Sequence, residues 1–220
     1  MTAPPYDLVI FDIDGTLLAT DLFWLDIGRS ATRKVFLRHG IQQEPPEGDR
    51  FLEAMGLPMG EFWRHVLGPE LGTLAPEMER EAQELEEVAF ARGVGAMYGG
   101  ARRLLDDLHA AGVTLALASN CGKRYLEGFV SSFGLNDIVT WAYCAESPGI
   151  RSKADMLKEI VAAARPERPV MIGDRNGDRE AARANRVPFI LFTGGFGASP
   201  AVDGDGTAAS YAELRGQLLG

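Results

Sequence analysis

The sequence predicts an α/β fold, a parallel sheet with helices on both faces and an all-helical insertion after the first strand. Apolar runs of strand length alternate with helical patterns along most of the chain. That alternation is suspended from about Ala19 to Val94, where helices appear without a convincing strand. Charged and hydroxyl residues gather at or just beyond strand ends, and Asp12-Ile13-Asp14-Gly15-Thr16 leads them. Open α/β sheets hold their ligands outside those ends.

Taken in order, Leu8 to Asp12 reads as a buried strand that stops at a glycine turn. In the insertion, Leu22, Phe23, Ile27, Ala31, Val35 and Phe36 form one amphipathic face, and Phe51, Leu52 and Met55 a shorter one. Glu44-Pro45-Pro46-Glu47-Gly48 reads as a loop within it. Pro76 to Arg92 is a long acidic helix whose glutamates, Glu77, Glu79, Glu81, Glu84, Glu86 and Glu87, are expected mostly on a solvated side. After Gly99-Gly100, Ala101 to Ala111 spaces Leu104, Leu105 and Leu108 helically, and Gly112 stops it. Buried-strand patterns follow at Val113 to Ser119, Val139 to Cys144, Val170 to Asp174 and Phe189 to Phe192. Between them lie helical stretches from Lys123 to Phe133 and from Ala154 to Ala164. Ser210-Tyr211-Ala212-Glu213 is a capping box that opens a last helix. Strands alternating with helices call for right-handed crossovers in one parallel sheet.

At 220 residues the chain accommodates one domain with an insertion, or two small domains. A net charge of −9 argues against a nucleic-acid-binding protein, which would usually carry a basic stripe. It leaves anionic substrates open, because a bound cation reverses the local field. Cys121 and Cys144 form neither a CxxC pair nor a metal-ligand spacing, as expected of a reduced protein. The N-terminal residues lack the basic region of a signal peptide, and no segment approaches the ~20 apolar residues of a membrane span. The expectation is a cytoplasmic protein with no membrane partner. No internal repeat is visible.

The acid pair carries the first chemical argument. Residues two apart on a strand face the same way, so Asp12 and Asp14 are expected to share one small space. Two carboxylates at ~4 Å repel by roughly 4 kcal/mol at an effective dielectric of ~20, which calls for a cation, a shifted proton, or both. Ser119 and Asn120 close a later strand, Lys153 stands in the first turn of a helix where the dipole disfavours a cation, and Asp174 and Asp178 flank a turn after another strand.

In this order, Asp12-Ile13-Asp14-Gly15-Thr16, Ser119, Lys153 and Gly173-Asp174-Arg175-Asn176-Gly177-Asp178 resemble the four motifs of the haloacid dehalogenase (HAD) superfamily. The loop Thr193-Gly194-Gly195-Phe196-Gly197 looks like the one after the final core strand in its phosphoglycolate-phosphatase-like branch. The resemblance implies a Rossmann-like core of residues 1–18 and 95–220, with residues 19–94 as a helical cap. It implies an enzyme, a phosphoric monoester hydrolase, acting on a small phosphorylated metabolite through an aspartyl-phosphate intermediate, with Mg²⁺ as cofactor. Asp12 would be the nucleophile and Asp14 the general acid and base. Ser119, Asn120 and Lys153 would bind the phosphate. Asp12 and Asp174 would supply side-chain oxygens to the metal and Asp14 its backbone carbonyl, while Asp178 would hold a metal-bound water or orient Lys153. Cap cations Arg29, Arg33, Lys34, Arg38, Arg50 and Arg64 are candidates for binding a substrate carboxylate.

Asp14 separates this chain from dehalogenase and phosphonatase members, which lack the second acid. A sugar-phosphate mutase of the same superfamily remains the enzymatic alternative, although Gly15-Thr16 stands where mutases commonly carry Gly-Val. A non-catalytic phosphometabolite-binding protein is the alternative of another class. Ala19 stands where many relatives of this branch have an acid, which leaves the substrate open. His39, His65 and His109 fit no ligand spacing, and Trp24, Trp63 and Trp141 read as core aromatics. The oligomeric state is not written in the sequence.

Overall fold

The computed structural model describes residues 3–57, 59–197 and 202–220. Strands β1 (Leu8–Phe11), β2 (Thr114–Ser119), β3 (Val139–Cys144), β4 (Pro169–Gly173), β5 (Phe189–Phe192) and β6 (Gly206–Ala208) pair in parallel in the order β3-β2-β1-β4-β5-β6. β1 therefore lies between β2 and β4, and their carboxyl ends open side by side. The strand order reverses direction at β1, the kind of position where such sheets bind ligands.

Period two sorts each strand's side chains between two cores. Val9 and Phe11 of β1 join Leu115, Leu117 and Ile172 in one cluster, while Leu8 and Ile10 join Ala116, Met171 and Leu191 in the other. The first cluster is covered by helices α5 (Ala101–Ala110), α6 (Lys123–Ser132) and α9 (Tyr211–Leu219), the second by α7 (Lys153–Ala164) and α8 (Asn176–Ala184). α9 begins at the expected cap, with Ser210 Oγ accepting from Glu213 N at 3.2 Å.

Between β1 and α5 the chain forms α1 (Trp24–Arg38), α2 (Gly48–Ala54), α3 (Met59–Leu71) and α4 (Ala75–Ala91). α3 is interrupted at Gly68, with φ 76°, immediately before Pro69. Trp24, Phe51, Phe62 and Trp63 form the aromatic centre of this insert, with ring centroids 5.0–6.4 Å apart. Pairs of this kind add about 0.5–1.5 kcal/mol each beyond the area they bury. The two connections to the sheet run side by side, with Ala19 N donating to Ala96 O and Tyr98 N to Leu17 O. The insert also packs on the core through Phe90 of α4, whose ring lies 5.1 Å from that of Tyr125 on α6.

Three expectations need correction. β3 is an edge strand in which Thr140 and Ala142 are exposed and Val139, Trp141 and Tyr143 half-buried, so its apolar run marks one covered face and not full burial. β6 escaped notice because three residues, Gly206-Thr207-Ala208, are too few to display a period. Glu81 and Glu86 are buried, against the expectation of a solvated acidic face, because α4 is covered by α1 on one flank and by α6 on another. Glu81 receives Lys34 and Arg38 from α1, and Glu86 receives the Trp24 indole. Among the described residues no helix is long and apolar enough to cross a membrane.

Candidate active site

Asp12 follows β1 and is held in line by its amide, which donates to Ile172 O at 2.9 Å. Gly15 then turns the chain at φ +80°, and a Cβ there would sit 2.1 Å from Asp174 Oδ2, so only glycine lets the two segments meet. Asp174 follows β4. Asp178 stands in the first turn of α8, where its Oδ2 accepts from Arg175 N at 3.0 Å. Lys153 opens α7 behind the Ser152 cap, whose Oγ accepts from Asp155 N at 3.2 Å.

These turns bring Lys153 Nζ to 2.9 Å from Asp12 Oδ1 and 2.6 Å from Asp178 Oδ1, with all three side chains buried. Asp12, Asp174 and Asp178 can each offer an oxygen within 4.8 Å of the others. Burial, then the Asp178 charge, pushes the Asp12 carboxyl up to about 7, with Lys153 pulling the other way. Burial, then the charges of Asp12 and Asp178, push Asp174 upward too, with Arg175 and Lys153 pulling the other way. Burial works against the Lys153 charge, but Asp12 and Asp178 outweigh it and hold its pKa above the usual range. Both carboxylate oxygens of Asp174 are buried without a hydrogen-bond partner among the described residues. Three crowded carboxylates, one without a hydrogen bond and with the Arg175 guanidinium no nearer than 4.0 Å, are a donor set that fits a hard divalent cation.

Asp14 points elsewhere. Its Oδ1 accepts from Thr20 Oγ1 and from the Tyr125 hydroxyl, each at 2.6 Å, and its Oδ2 lies 3.5 Å from Ser119 Oγ. Asp12 and Asp14 line one cleft, as period two predicts, but they share no partner, because Asp14 lies past the strand end where the backbone has begun to turn. The Asp14 carboxyl stands outside the three-acid cluster. Ser119 and Lys153 line the same cleft. Asn120 reaches across to the insert and donates to Gly56 O at 2.8 Å, so its amide holds the loop after α2.

The cleft encloses about 600 Å³ including its mouth. Its inner wall carries the motif residues, and its outer wall is Trp24, Met55, Leu57, Phe62, Gln83 and Glu86 from the insert. Trp24 is thus part of the cleft as well as of the core. Sequence reasoning missed Thr20, Tyr125, Gln83, Glu86 and Arg175. Arg175 Nη2 donates to Leu52 O at 3.2 Å, and its guanidinium lies 5.5 Å from the Phe196 ring. An arginine inside the Asp174–Asp178 turn was visible in the sequence, but its reach to α2 was not.

None of the six candidate cations of the insert is among the described residues lining the cleft. Arg29 meets Pro46 O and Glu47, Arg33 meets Glu44, Lys34 and Arg38 meet Glu81, Arg50 meets His65 O, and Arg64 meets Gly60 O. Each is drawn to an acid or carbonyl on its own side of the insert. The glycine loop is structural as well: a Cβ on Gly195 would lie 1.8 Å from Gly15 O. His39 and His65 make surface pairs with Glu77 and Glu53.

Residues 9–183 match the model of a protein family described as haloacid dehalogenase-like hydrolase. The chain is similar to the tyrosine-protein kinase PtkA of Mycobacterium tuberculosis (strain CDC 1551 / Oshkosh), with 33% identity over 96% of this chain and 72% of that protein. It is similar to a phosphoglycolate phosphatase of Pseudomonas putida, with 24% identity over 97% of this chain and 79% of that one. The crystal structure of CbbY from Rhodobacter sphaeroides in complex with phosphate shares the fold, with a TM-score of 0.75 and 22% identity over 95% and 96% of the two chains.

Proposed function

Because this chain belongs to the haloacid dehalogenase-like hydrolase family, we propose that it is a Mg²⁺-dependent phosphatase that hydrolyses a small phosphomonoester through an aspartyl phosphate on Asp12. The observation that carries this reading is the division of labour within the acid pair. Asp12 is held by Lys153 within the acid cluster, while Asp14, which lines the same cleft, is held by Thr20 and Tyr125 and stands outside that cluster. A nucleophile and a general acid need such separate placements around one phosphorus.

In this reading Asp12 attacks phosphorus, the bond to the ester oxygen breaks, and Asp14 gives that oxygen its proton. Asp14, now a carboxylate, takes a proton from the water that attacks the same phosphorus, the bond between phosphorus and the Asp12 oxygen breaks to restore the Asp12 carboxylate, and inorganic phosphate leaves. Lys153 offsets charge on the phosphoryl oxygens, in a buried site where that is worth more than in water. Ser119 donates its hydroxyl to one of them. Asp178 orients Lys153 through the 2.6 Å contact. Asp12 and Asp174 would hold Mg²⁺ by side-chain oxygens and Asp14 by its backbone carbonyl. The ion, when bound, supplies positive charge against the phosphoryl group. Residues 19–94 act as a cap that controls access and selection.

The test is release of phosphate from p-nitrophenyl phosphate, with and without Mg²⁺, by the wild-type chain and by Asp12→Asn. Turnover that needs the metal and disappears in the variant is expected. Near-normal single turnover by Asp12→Asn would remove Asp12 as nucleophile. The relative named a tyrosine-protein kinase, at 33% identity, supports a second reading in which the phosphoryl group passes to a tyrosine hydroxyl and not to water. Labelled phosphotyrosine formed from a nucleoside triphosphate, exceeding ester hydrolysis, would favour it.

A further inference from the structure

The outer half of the cleft has a chemical character that the motif residues do not determine. Trp24, Met55, Leu57 and Phe62 give it apolar walls, and its polar groups from α4 are Gln83 and Glu86, one turn apart. Lys153 is the only cation among the described lining residues, and both Asp12 and Asp178 already engage it. Glu86 Oε1 accepts from Trp24 Nε1, while Oε2 has no hydrogen bond among the described residues and its side chain faces the cleft. The six arginines and lysines that could have answered a substrate anion all turn to partners on the insert itself.

We propose that this wall selects phosphomonoesters of uncharged, partly apolar alcohols and excludes those bearing a carboxylate near the ester, with Glu86 and Gln83 as the specificity-determining residues. The inference rests on the phosphatase reading and names its substrate class. A carboxylate entering the cleft loses hydration without gaining a cation, and once Glu86 is ionised, above about pH 8, it meets that charge across apolar walls. A hydroxyl or amide both donates and accepts, so it bonds Glu86 in either protonation state and Gln83 in either amide orientation. 2-Phosphoglycolate, the smallest ester of the excluded kind, is accordingly a poor substrate.

The experiment compares 4-carbamoylphenyl phosphate with 4-carboxyphenyl phosphate, nearly isosteric esters that differ in charge. Relative kcat/KM is measured at about pH 9, where Glu86 is ionised, on the wild-type chain, Glu86→Gln and Gln83→Lys, and Kd on Asp12→Asn by calorimetry. The wild type should favour the carbamoyl ester by about tenfold or more, mainly through KM. Glu86→Gln keeps an acceptor for Trp24 and should shrink that ratio, and Gln83→Lys, on a half-buried position, should level or invert it. Equal kcat/KM for the two esters in the wild type, or a preference for the carboxylate, would overturn the proposal. So would a ratio unchanged in both variants. Failure to turn over any ester, p-nitrophenyl phosphate included, would refute the phosphatase reading, and the Kd ratio on Asp12→Asn would still decide this one.

Discussion

The hydroxyl of Tyr125 donates to Asp14 Oδ1 at 2.6 Å across 111 residues of sequence, and Thr20 Oγ1 donates to the same oxygen at 2.6 Å. Two donors on one carboxylate oxygen hold its plane and aim the other oxygen toward Ser119 and the cleft. Tyr125 is itself held by Phe90 and by burial on α6, so the insert and the core jointly set the position of this acid.

Tyr125→Phe should therefore lower kcat for an alkyl phosphate by about tenfold, the loss of one hydrogen bond to a charged group. The loss should be smaller for p-nitrophenyl phosphate, whose leaving group needs little protonation. Equal loss with both esters, measured in parallel, would mean that the phenol serves packing alone.

Asp14→Asn should separate the two half-reactions. With p-nitrophenyl phosphate the first step survives and water attack slows, so rapid mixing should show a burst of p-nitrophenol near the enzyme concentration, then slow turnover. General acid–base catalysis contributes typically ~10²- to 10⁴-fold, which bounds the loss in the steady rate. Absence of a burst together with equal losses for alkyl and aryl esters would return Asp14 to a turn residue.

Exhaustive chelation should abolish turnover, and Mg²⁺ should raise the thermal midpoint, because the cation relieves repulsion within Asp12, Asp174 and Asp178. Asp174→Asn should raise the metal-free midpoint by removing one of three crowded charges, and should abolish the response to Mg²⁺. Calorimetric scans with and without the ion read both effects. A variant that still responds like the wild type would place the metal elsewhere.

Glu86 supplies a pH signature. Burial raises its carboxyl to about 8 from 4.5, with the Trp24 hydrogen bond lowering it and Asp14 raising it further. The folded chain keeps a proton that the unfolded chain releases near 4.5, so the associated stability is full below that pH and is lost as pH rises toward about 8. Glu86→Gln has no proton to lose, and its urea midpoint should fall less than the wild type's across that window. Parallel profiles would show that other groups dominate.

Local pattern by itself determines much of this protein. The apolar runs ending at Asp12, Ser119 and Asp174 identify strands whose ends must gather, because parallel crossovers leave all carboxyl ends on one edge. The candidate site residues are legible beside those ends, with Asp12 and Asp14, then Ser119, then Asp174 and Asp178 at or just past a strand, and Lys153 opening the helix between the last two. That the described residues between Ala19 and Val94 form no strand is legible for the same reason: period two and period 3.6 are properties of neighbours in sequence.

What only the tertiary structure decided is which groups each side chain meets. Asp12 and Asp14 differ by two residues, yet one meets Lys153 of α7 and the other Tyr125 of α6, partners 141 and 111 positions away (153 − 12 and 125 − 14). Glu86 reads as one more acid on a solvated helix until α1 and α6 bury α4 and bring Trp24 to it. The six candidate cations of the insert read as free to meet a substrate until the insert supplies acids and carbonyls closer at hand. Helical and strand periods depend on the backbone's own repeat, whereas burial, charge pairing and the chemistry of the cleft wall depend on elements brought together from across the chain, a sum that no local window contains.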